Sequence, residues 1–387
     1  VGLPIFLCIK NKFETVGFDI NSERIRELNN YIDRNKEFKK HELKLKKRSK
    51  YSNDYNELKK CNFYIISVPT PVFKNKKPDL RPLYNACNLL KKVINNEDII
   101  FFESTVFPGL TRSLKIKFFG DKKIHLGYSP ERINPGDKIN TVKTIKKIVA
   151  FDSKSLKVKK AVLDVYKSIT KNIILSNSVE NAEMSKVIEN IQRDINIAFM
   201  NEILMVCKKL KLDFIEVIKL AKTKWNFLSF SPGLVGGHCL PVDPFYLYHL
   251  ARKNNYNAKF MLSGRLVNDQ LSDYVEDEIK NQINSKKIKK ILILGVSYKA
   301  NVADLRNSLA LQIYLKLKKK FKNKIFAFDS VIDKDSAQKF KIYQKISKIN
   351  NYDLIVPLVN HTDLKNRFFS NYILRKDRYL DFFNYFG

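Results

Sequence analysis

The sequence predicts an α/β protein with two doubly wound, parallel-sheet domains joined by a long central helix. Three observations carry this. Short apolar runs alternate with helical patterns from residue 1 to 178, the pattern of a parallel sheet with crossover helices. The same alternation returns after residue 287, in KKILILGVSY, KIFAFDS and DLIVPLV. Between them VENAEMSKVIENIQRDINIAFMNEILMVCKKL is the longest helical pattern in the chain. The domains are therefore placed at 1–178, 179–286 and 287–387, the outer two Rossmann-like.

Taken in order, the chain opens with LPIFLCIKNK, apolar enough for a helix, and ETVGFDI, a short strand ending in Asp19. This reads as a βαβ unit whose first strand is missing. An acidic residue at the second strand's end accepts hydrogen bonds from adenosine ribose hydroxyls. The Gly-rich turn that cradles pyrophosphate is represented only by Val1 and Gly2. Asp19 equally suits a turn-starting role ahead of the helix that begins in DINSER. Next come CNFYIISVPTPV, a helix through residue 95, DIIFFESTV with a helix opening at PGLTR, and KIHLGYSPERINPG. These put Thr70, the Glu103-Ser104-Thr105 group, Glu131 and Arg132 at strand carboxyl ends, where an open parallel sheet forms its ligand crevice. KKIVAF and NIILSNS complete the domain.

Composition fixes the class and narrows the partners. The chain has 387 residues, 44% hydrophobic and 12% aromatic, enough for several cores. No run of 18 apolar residues and no charged-then-apolar leader appears, so neither a membrane span nor a signal peptide is expected. Five cysteines, at 8, 61, 87, 207 and 239, lack metal-ligand spacing, which points to a reducing cytoplasm and no metal. A net charge of +33 raises the question of nucleic acid. The lysines are spread over the whole chain amid abundant Asn, Ile, Tyr and Phe, a bias that an AT-rich genome produces. Only KKHELKLKKRSK is a dense basic run, and a solvated helix face explains it. No zinc-finger spacing or RNP-type motif accompanies it, so no nucleic-acid partner is expected.

In the central helix Met184, Ile188, Ile191, Ile195 and Phe199 recur at spacings of three and four, an apolar stripe. Lys186, Asn190 and Arg193 stack on another face, either solvated or presenting oxyanion donors. Further on, SFSPGLVGGHCLPVDPFYL gathers a thiol, a carboxylate, an imidazole and close glycines. Gly236 and Gly237 permit φ > 0 and close backbone approach, which suits display of Cys239 in a crevice. Asp243 and Pro244 suit the start of a helix FYLYHLARK, whose dipole would favour a thiolate at Cys239. By itself the segment equally supports a buried structural cysteine with Asp243 as a cap. A helical stretch from residue 258 to about 285 contains Arg265 and Asn268, and a second strand-turn-helix unit has Gly295 in its turn with Lys299 and Arg306 beyond.

VGLP, GFDI, VPTP, ESTVFPG, SPERINPG, AEMSKVIEN, GGHCLPVDP and GVSYKANVADLRNS stand in one order across the chain. In this the chain resembles the UDP-glucose/GDP-mannose dehydrogenase family of nucleotide-sugar 6-dehydrogenases. SPERINPG with FSPGLVGGHC is more similar to members oxidising UDP-N-acetylhexosamines, N-acetylglucosamine or N-acetylgalactosamine, for bacterial surface polysaccharides. The resemblance implies NAD as cofactor, a UDP-sugar as substrate and a homodimer formed through the central helix. It implies Cys239 as nucleophile, Asp243 as the carboxylate that assists water, Lys186 and Asn190 as oxyanion donors, and Thr105 and Glu131 as groups that organise substrate and water. Val1, Gly2, Asp19, Arg24, Thr70 and Thr105 match cofactor contacts, and Arg306 belongs to a motif that meets cofactor or substrate. Glu131, Lys186, Asn190, Phe230, Gly236, Arg265 and Lys299 match substrate contacts. Where UDP-glucose dehydrogenases carry a second glutamate four positions after the first, this chain has Pro135, which weighs against UDP-glucose. UDP-glucose, UDP-N-acetylmannosamine and GDP-mannose remain as alternative substrates, and an inactive truncated relative acting as a binding protein is the competing class.

Overall fold

A computed structural model describes the chain apart from Val1, Lys36, Lys46, Lys47, Lys74, Asp121, residues 134–136, Lys138, residues 238–239, 286–287, 347–348 and Gly387. The chain forms two compact units, residues 1–189 with 245–256, and residues 190–244 with 257–387.

The first unit starts with α1 (Gly2–Ile9), β1 (Val16–Phe18), α2 (Ser22–Asn29), α3 (Lys40–Leu43) and β2 (Lys50–Ser52). β1 and β2 pair in parallel, Val16 opposite Lys50. A five-stranded sheet follows in the order β3-β4-β5-β6-β7. Its strands are β3 (Phe63–Ile66), β4 (Ile99–Phe102), β5 (His125–Tyr128), β6 (Lys147–Phe151) and β7 (Ile173–Leu175). α4 (Arg81–Lys91), α5 (Leu110–Phe119) and α6 (Leu156–Ile169) supply the crossovers. IIFF of β4 is buried at every position, as a strand covered on both faces must be. The expected all-parallel order has one departure: β5 and β6 run antiparallel, Gly127 opposite Phe151. A parallel return needs a crossover, usually a helix. No helix lies among the described residues between β5 and β6, whereas α6 joins the parallel pair β6 and β7.

The central segment comprises α7 (Val179–Leu210), α8 (Phe214–Ala221), α9 (Asp243–Lys253) and α10 (Lys259–Ser285). On α7 the predicted amphipathicity is partly inverted: Ile188 and Phe199 are exposed, while Glu183, Lys186, Asn190, Asp194 and Asn201 are buried. Partners explain three of these polar groups. Glu183 accepts from the Gly109 and Thr111 amides, at 2.6 and 2.9 Å, ahead of and within the first turn of α5. Asp194 accepts from Arg265 and Asn268 of α10, and the Asn201 amide reaches Asn268 at 2.7 Å.

The second unit carries a parallel sheet in the order β10-β8-β9. It is built from β8 (Ile291–Leu294), β9 (Ile325–Phe328) and β10 (Leu354–Pro357), with α11 (Leu309–Phe321), α12 (Lys334–Phe340) and α13 (Thr362–Leu374). ILIL and LIVP are buried throughout, and the Ser308 hydroxyl caps α11 by accepting from the Leu311 amide.

Candidate active site

In the first unit the carboxyl ends of β1, β3 and β4 carry the candidate cofactor residues. Asp19 follows β1 and is exposed, and its carboxylate accepts from the Asn21 amide at 2.9 Å. Thr70 and Thr105, beyond β3 and β4, are half-buried. Gly2 opens α1, and a Cβ there would come within 2.6 Å of the Ser67 hydroxyl, so backbone and strand end approach as a phosphate cradle requires. These residues fit a dinucleotide. Arg24 is instead tied within its own unit, to Asp33 at 2.7 Å and Glu27 at 3.3 Å. Val1 lies outside the described residues.

Beyond β4 and β5 lies a buried charge cluster. Lys147, the first residue of β6, is fully buried and ion-paired with Glu103, and it donates to the Pro130 carbonyl at 3.2 Å. Tyr166 of α6 donates to the other Glu103 oxygen at 3.0 Å. Burial pushes the Glu103 carboxyl up to about 7; Lys147 pulls it down and Glu131 pushes it further up. Glu131 is buried, with one oxygen accepting from the Ile133 amide at 2.6 Å. Its other oxygen has no hydrogen-bond partner among the described residues and stands 3.8 Å from the Lys147 ammonium.

Lys186 and Asn190 are both buried on α7, one turn apart, while Arg193 is exposed. The polar face read from the sequence thus divides into a buried pair and a solvated residue.

In the second unit Asn190 donates to the Asp243 carboxylate at 2.5 Å, and both side chains are buried. Cys239 lies outside the described residues, but the glycines before it do not. Gly237 has φ +91°, and a Cβ there would come within 2.7 Å of the Tyr298 ring. Gly236 is required by space, since a Cβ would meet the Asn307 carbonyl at 2.6 Å. Asn307 holds Gly237 twice, accepting from its amide at 3.3 Å and donating to its carbonyl at 3.1 Å. Phe230 is half-buried. Lys299 is half-buried on a loop that buried His361 anchors. Nδ1 of His361 accepts from the Asn301 amide at 2.9 Å, so its Nε2 carries the proton and donates to Asp329 at 3.1 Å. Arg306 is exposed and forked onto Asp304. Arg265 is buried and paired with Asp194 at 2.5 Å, and its other branch reaches Asp269 at 3.1 Å.

Sequence reasoning singled out neither Lys147 nor Asp194, Asn201, Asn307 or His361. For Lys147 the available signal was a lysine opening an apolar strand, KKIVAF. For Asp194 it was a carboxylate in helical register with Lys186 and Asn190.

Two Rossmann-like sheets, a long central helix and, at the carboxyl ends of β1, β3 and β4, residues that fit a dinucleotide define the class as a dinucleotide-binding α/β protein. Family comparison specifies it. The chain belongs to the UDP-glucose/GDP-mannose dehydrogenase family, matching its NAD binding domain over residues 1–170, its central domain over 180–270 and its UDP binding domain over 292–386. It is an NAD-dependent nucleotide-sugar 6-dehydrogenase by class. Protein CapL of Staphylococcus aureus is 41% identical over 94% of this chain and 88% of its own length. UDP-N-acetyl-D-glucosamine 6-dehydrogenase of Salmonella typhi is 37% identical, with the same coverage of 94% and 88%. The solved UDP-D-ManNAc dehydrogenase of Pyrococcus horikoshii superposes with a TM-score of 0.83 at 26% identity, covering 100% of this chain and 94% of that one. Among the described residues no helix is long and apolar enough to cross a membrane.

Proposed function

We propose that this chain oxidises the C6 alcohol of a UDP-N-acetylhexosamine to the uronic acid, through a thioester on Cys239, for surface polysaccharide synthesis. The observation that carries the reading is the buried Asn190–Asp243 hydrogen bond, four residues beyond Cys239 in the chain. A desolvated carboxylate held by an amide is suited to proton transfer with a hydrolytic water. The relatives named above as UDP-N-acetylglucosamine and UDP-ManNAc dehydrogenases support the substrate class.

Asp19, Thr70 and Gly2 would hold NAD, with Thr105 near its reacting end; two NAD molecules, bound in turn, would each accept one hydride, the first leaving the C6 alcohol, its proton lost, as an aldehyde. The Cys239 thiolate adds to the sugar aldehyde carbon, and oxidation of that adduct leaves a thioester. Lys186 and Asn190 supply donors to the developing oxyanion. Water then forms the new C–O bond, the C–S bond breaks to return the thiolate, and Asp243 and Glu131 take up protons. Lys299, Phe230, Gly236, Arg265 and Arg306 complete the proposed substrate and cofactor contacts.

We place the domain limits at 1–178, 179–286 and 287–387, and propose a cytoplasmic homodimer. A second copy is the fitting occupant for the exposed apolar side chains Phe199, Val206, Leu210, Leu220, Trp225 and Leu228. Competition kinetics with several nucleotide sugars tests the substrate. UDP-N-acetylglucosamine or UDP-N-acetylgalactosamine should show the higher kcat/KM, since a pocket shaped for an acetamido group leaves polar groups unpaired around a hydroxyl. Preference for UDP-glucose or GDP-mannose would refute it, and preference for UDP-N-acetylmannosamine would move the assignment to that epimer.

A further inference from the structure

The antiparallel turn of β6 has a consequence for the site. In an all-parallel sheet the first residue of β6 would sit at the amino ends of its neighbours. Reversal brings it to the carboxyl ends, beside the loops that carry Thr105 and Glu131. The register Gly127↔Phe151 and Tyr128↔Ala150, continued along both strands, sets Glu131 opposite Lys147. Side-chain contacts agree: Ser129 donates to the Ile148 carbonyl at 2.7 Å, and Lys147 donates to the Pro130 carbonyl at 3.2 Å.

A lysine with no exposed side-chain surface is costly, and a buried ion pair is often replaced by apolar groups without loss of stability. The charge therefore asks for a role beyond packing. Lys147 has two carboxylates within reach, Glu103 in direct contact and Glu131 at 3.8 Å. Glu103 is held in turn by Tyr166 and begins the ESTVFPG loop, whose Ser104 hydroxyl donates to the Val68 carbonyl at 2.7 Å. One ammonium thus ties the loop of Thr105 to the loop of Glu131.

We propose that Lys147, with its charge balanced by Glu103, is a positioning residue that fixes the Pro130 carbonyl and holds the second oxygen of Glu131 ready to take up a proton in thioester hydrolysis. This rests on the reading of Glu131 given above. In the hydrolysis the water oxygen bonds to the acyl carbon, the C–S bond breaks, and the water proton passes to a carboxylate.

Lys147→Met and Glu131→Gln test it together, with three readouts: amide hydrogen exchange of residues 129–133 without ligand, kcat and KM with UDP-N-acetylglucosamine, and sugar bound to the chain by intact mass after acid quench. In Lys147→Met, exchange over 129–133 should speed at least ~10-fold. The kcat should fall roughly 10–100-fold, as when groups that orient a ligand are lost, with KM within about threefold. Sugar should accumulate on the chain, because hydrolysis alone is slowed. Unchanged exchange and kcat in Lys147→Met while Glu131→Gln is impaired would overturn the positioning role. Full activity in Glu131→Gln would instead overturn the role given to Glu131, and loss of exchange protection in Lys147→Met would still support the tie between the loops. Should Lys147→Met fail to fold, the uncharged pair Lys147→Met/Glu103→Gln is expected to show the same accumulation. Wild-type kinetics in that double variant would overturn the proposal.

Discussion

Asn190 of α7 donates to Asp243 at the start of α9 across 2.5 Å, and each side chain is at most 5% exposed. The pair orients a carboxylate that would otherwise be buried at high cost. Asp243→Asn keeps size and removes proton transfer. It should lower kcat roughly 10²–10⁴-fold, the usual contribution of a positioned acid-base group, with little change in thermal midpoint. Near-normal turnover in this variant would remove Asp243 from the hydrolytic step.

Lys186 lies one turn before Asn190 and is buried on the same helix. As an oxyanion donor its replacement by Ala should cost roughly 2.7–4 kcal/mol of barrier, about 10²–10³-fold in kcat. A change confined to KM would assign it to ground-state binding alone.

Gly237→Ala is predicted to damage the segment that leads into Cys239. Its φ of +91° disfavours a side chain, and the added Cβ would lie 2.7 Å from the Tyr298 ring. Backbone strain of this kind costs about 1–3 kcal/mol. We expect lower kcat with slower thiol alkylation of Cys239, and unaltered alkylation kinetics would contradict that.

Arg265 was read from the sequence as a substrate contact, and the structure gives it a buried partner in Asp194. Burial pushes the Asp194 carboxyl up to about 6, while Arg265 holds it down. Removing one member of a buried pair costs about 3–5 kcal/mol, so Arg265→Met should lose that much in urea denaturation. If stability holds and only KM rises, the residue faces the sugar and the pairing is incidental.

Glu103 makes stability depend on pH with a definite sign. Its carboxyl is raised from 4.5 to about 7, so the contribution it makes is complete below 4.5 and disappears as pH rises through about 7. Glu183, raised to about 6, acts in the same direction over a lower window. Urea midpoints at pH 5 and pH 8 should therefore fall more in the wild type than in Glu103→Gln. Equal falls would deny Glu103 this role.

Much of the fold was legible because buried strands such as IIFF, ILIL and LIVP are continuous apolar runs with crossover helices between them. The reversal of β6 was not legible, since strand direction depends on the path of a connection and leaves no periodicity. α7 misled for a related reason. Its polar face is buried because partners distant in sequence, Arg265 and Asn268 for Asp194 and Gly109 for Glu183, satisfy it. Local spacing sees only that Ile188 and Phe199 are apolar, and both are exposed. Among the candidate site residues, Asp243 and Asn190 stand out by residue type and motif, while the hydrogen bond between them is visible only in the fold. Lys147 and Asn307 act through contacts with segments far along the chain, and only the fold brings those segments together.

The most direct test is the stoichiometry of turnover with and without the thiol at position 239. The wild-type chain, given UDP-N-acetylglucosamine and NAD, should release two NADH for each uronic acid formed, as a four-electron oxidation requires. Cys239→Ala should form no carboxylate while keeping its thermal midpoint, and Cys239→Ser should hold sugar as a slowly released ester visible by intact mass. Two NADH per sugar from Cys239→Ala at near the wild-type rate would contradict the thioester route and the role of Cys239 with it.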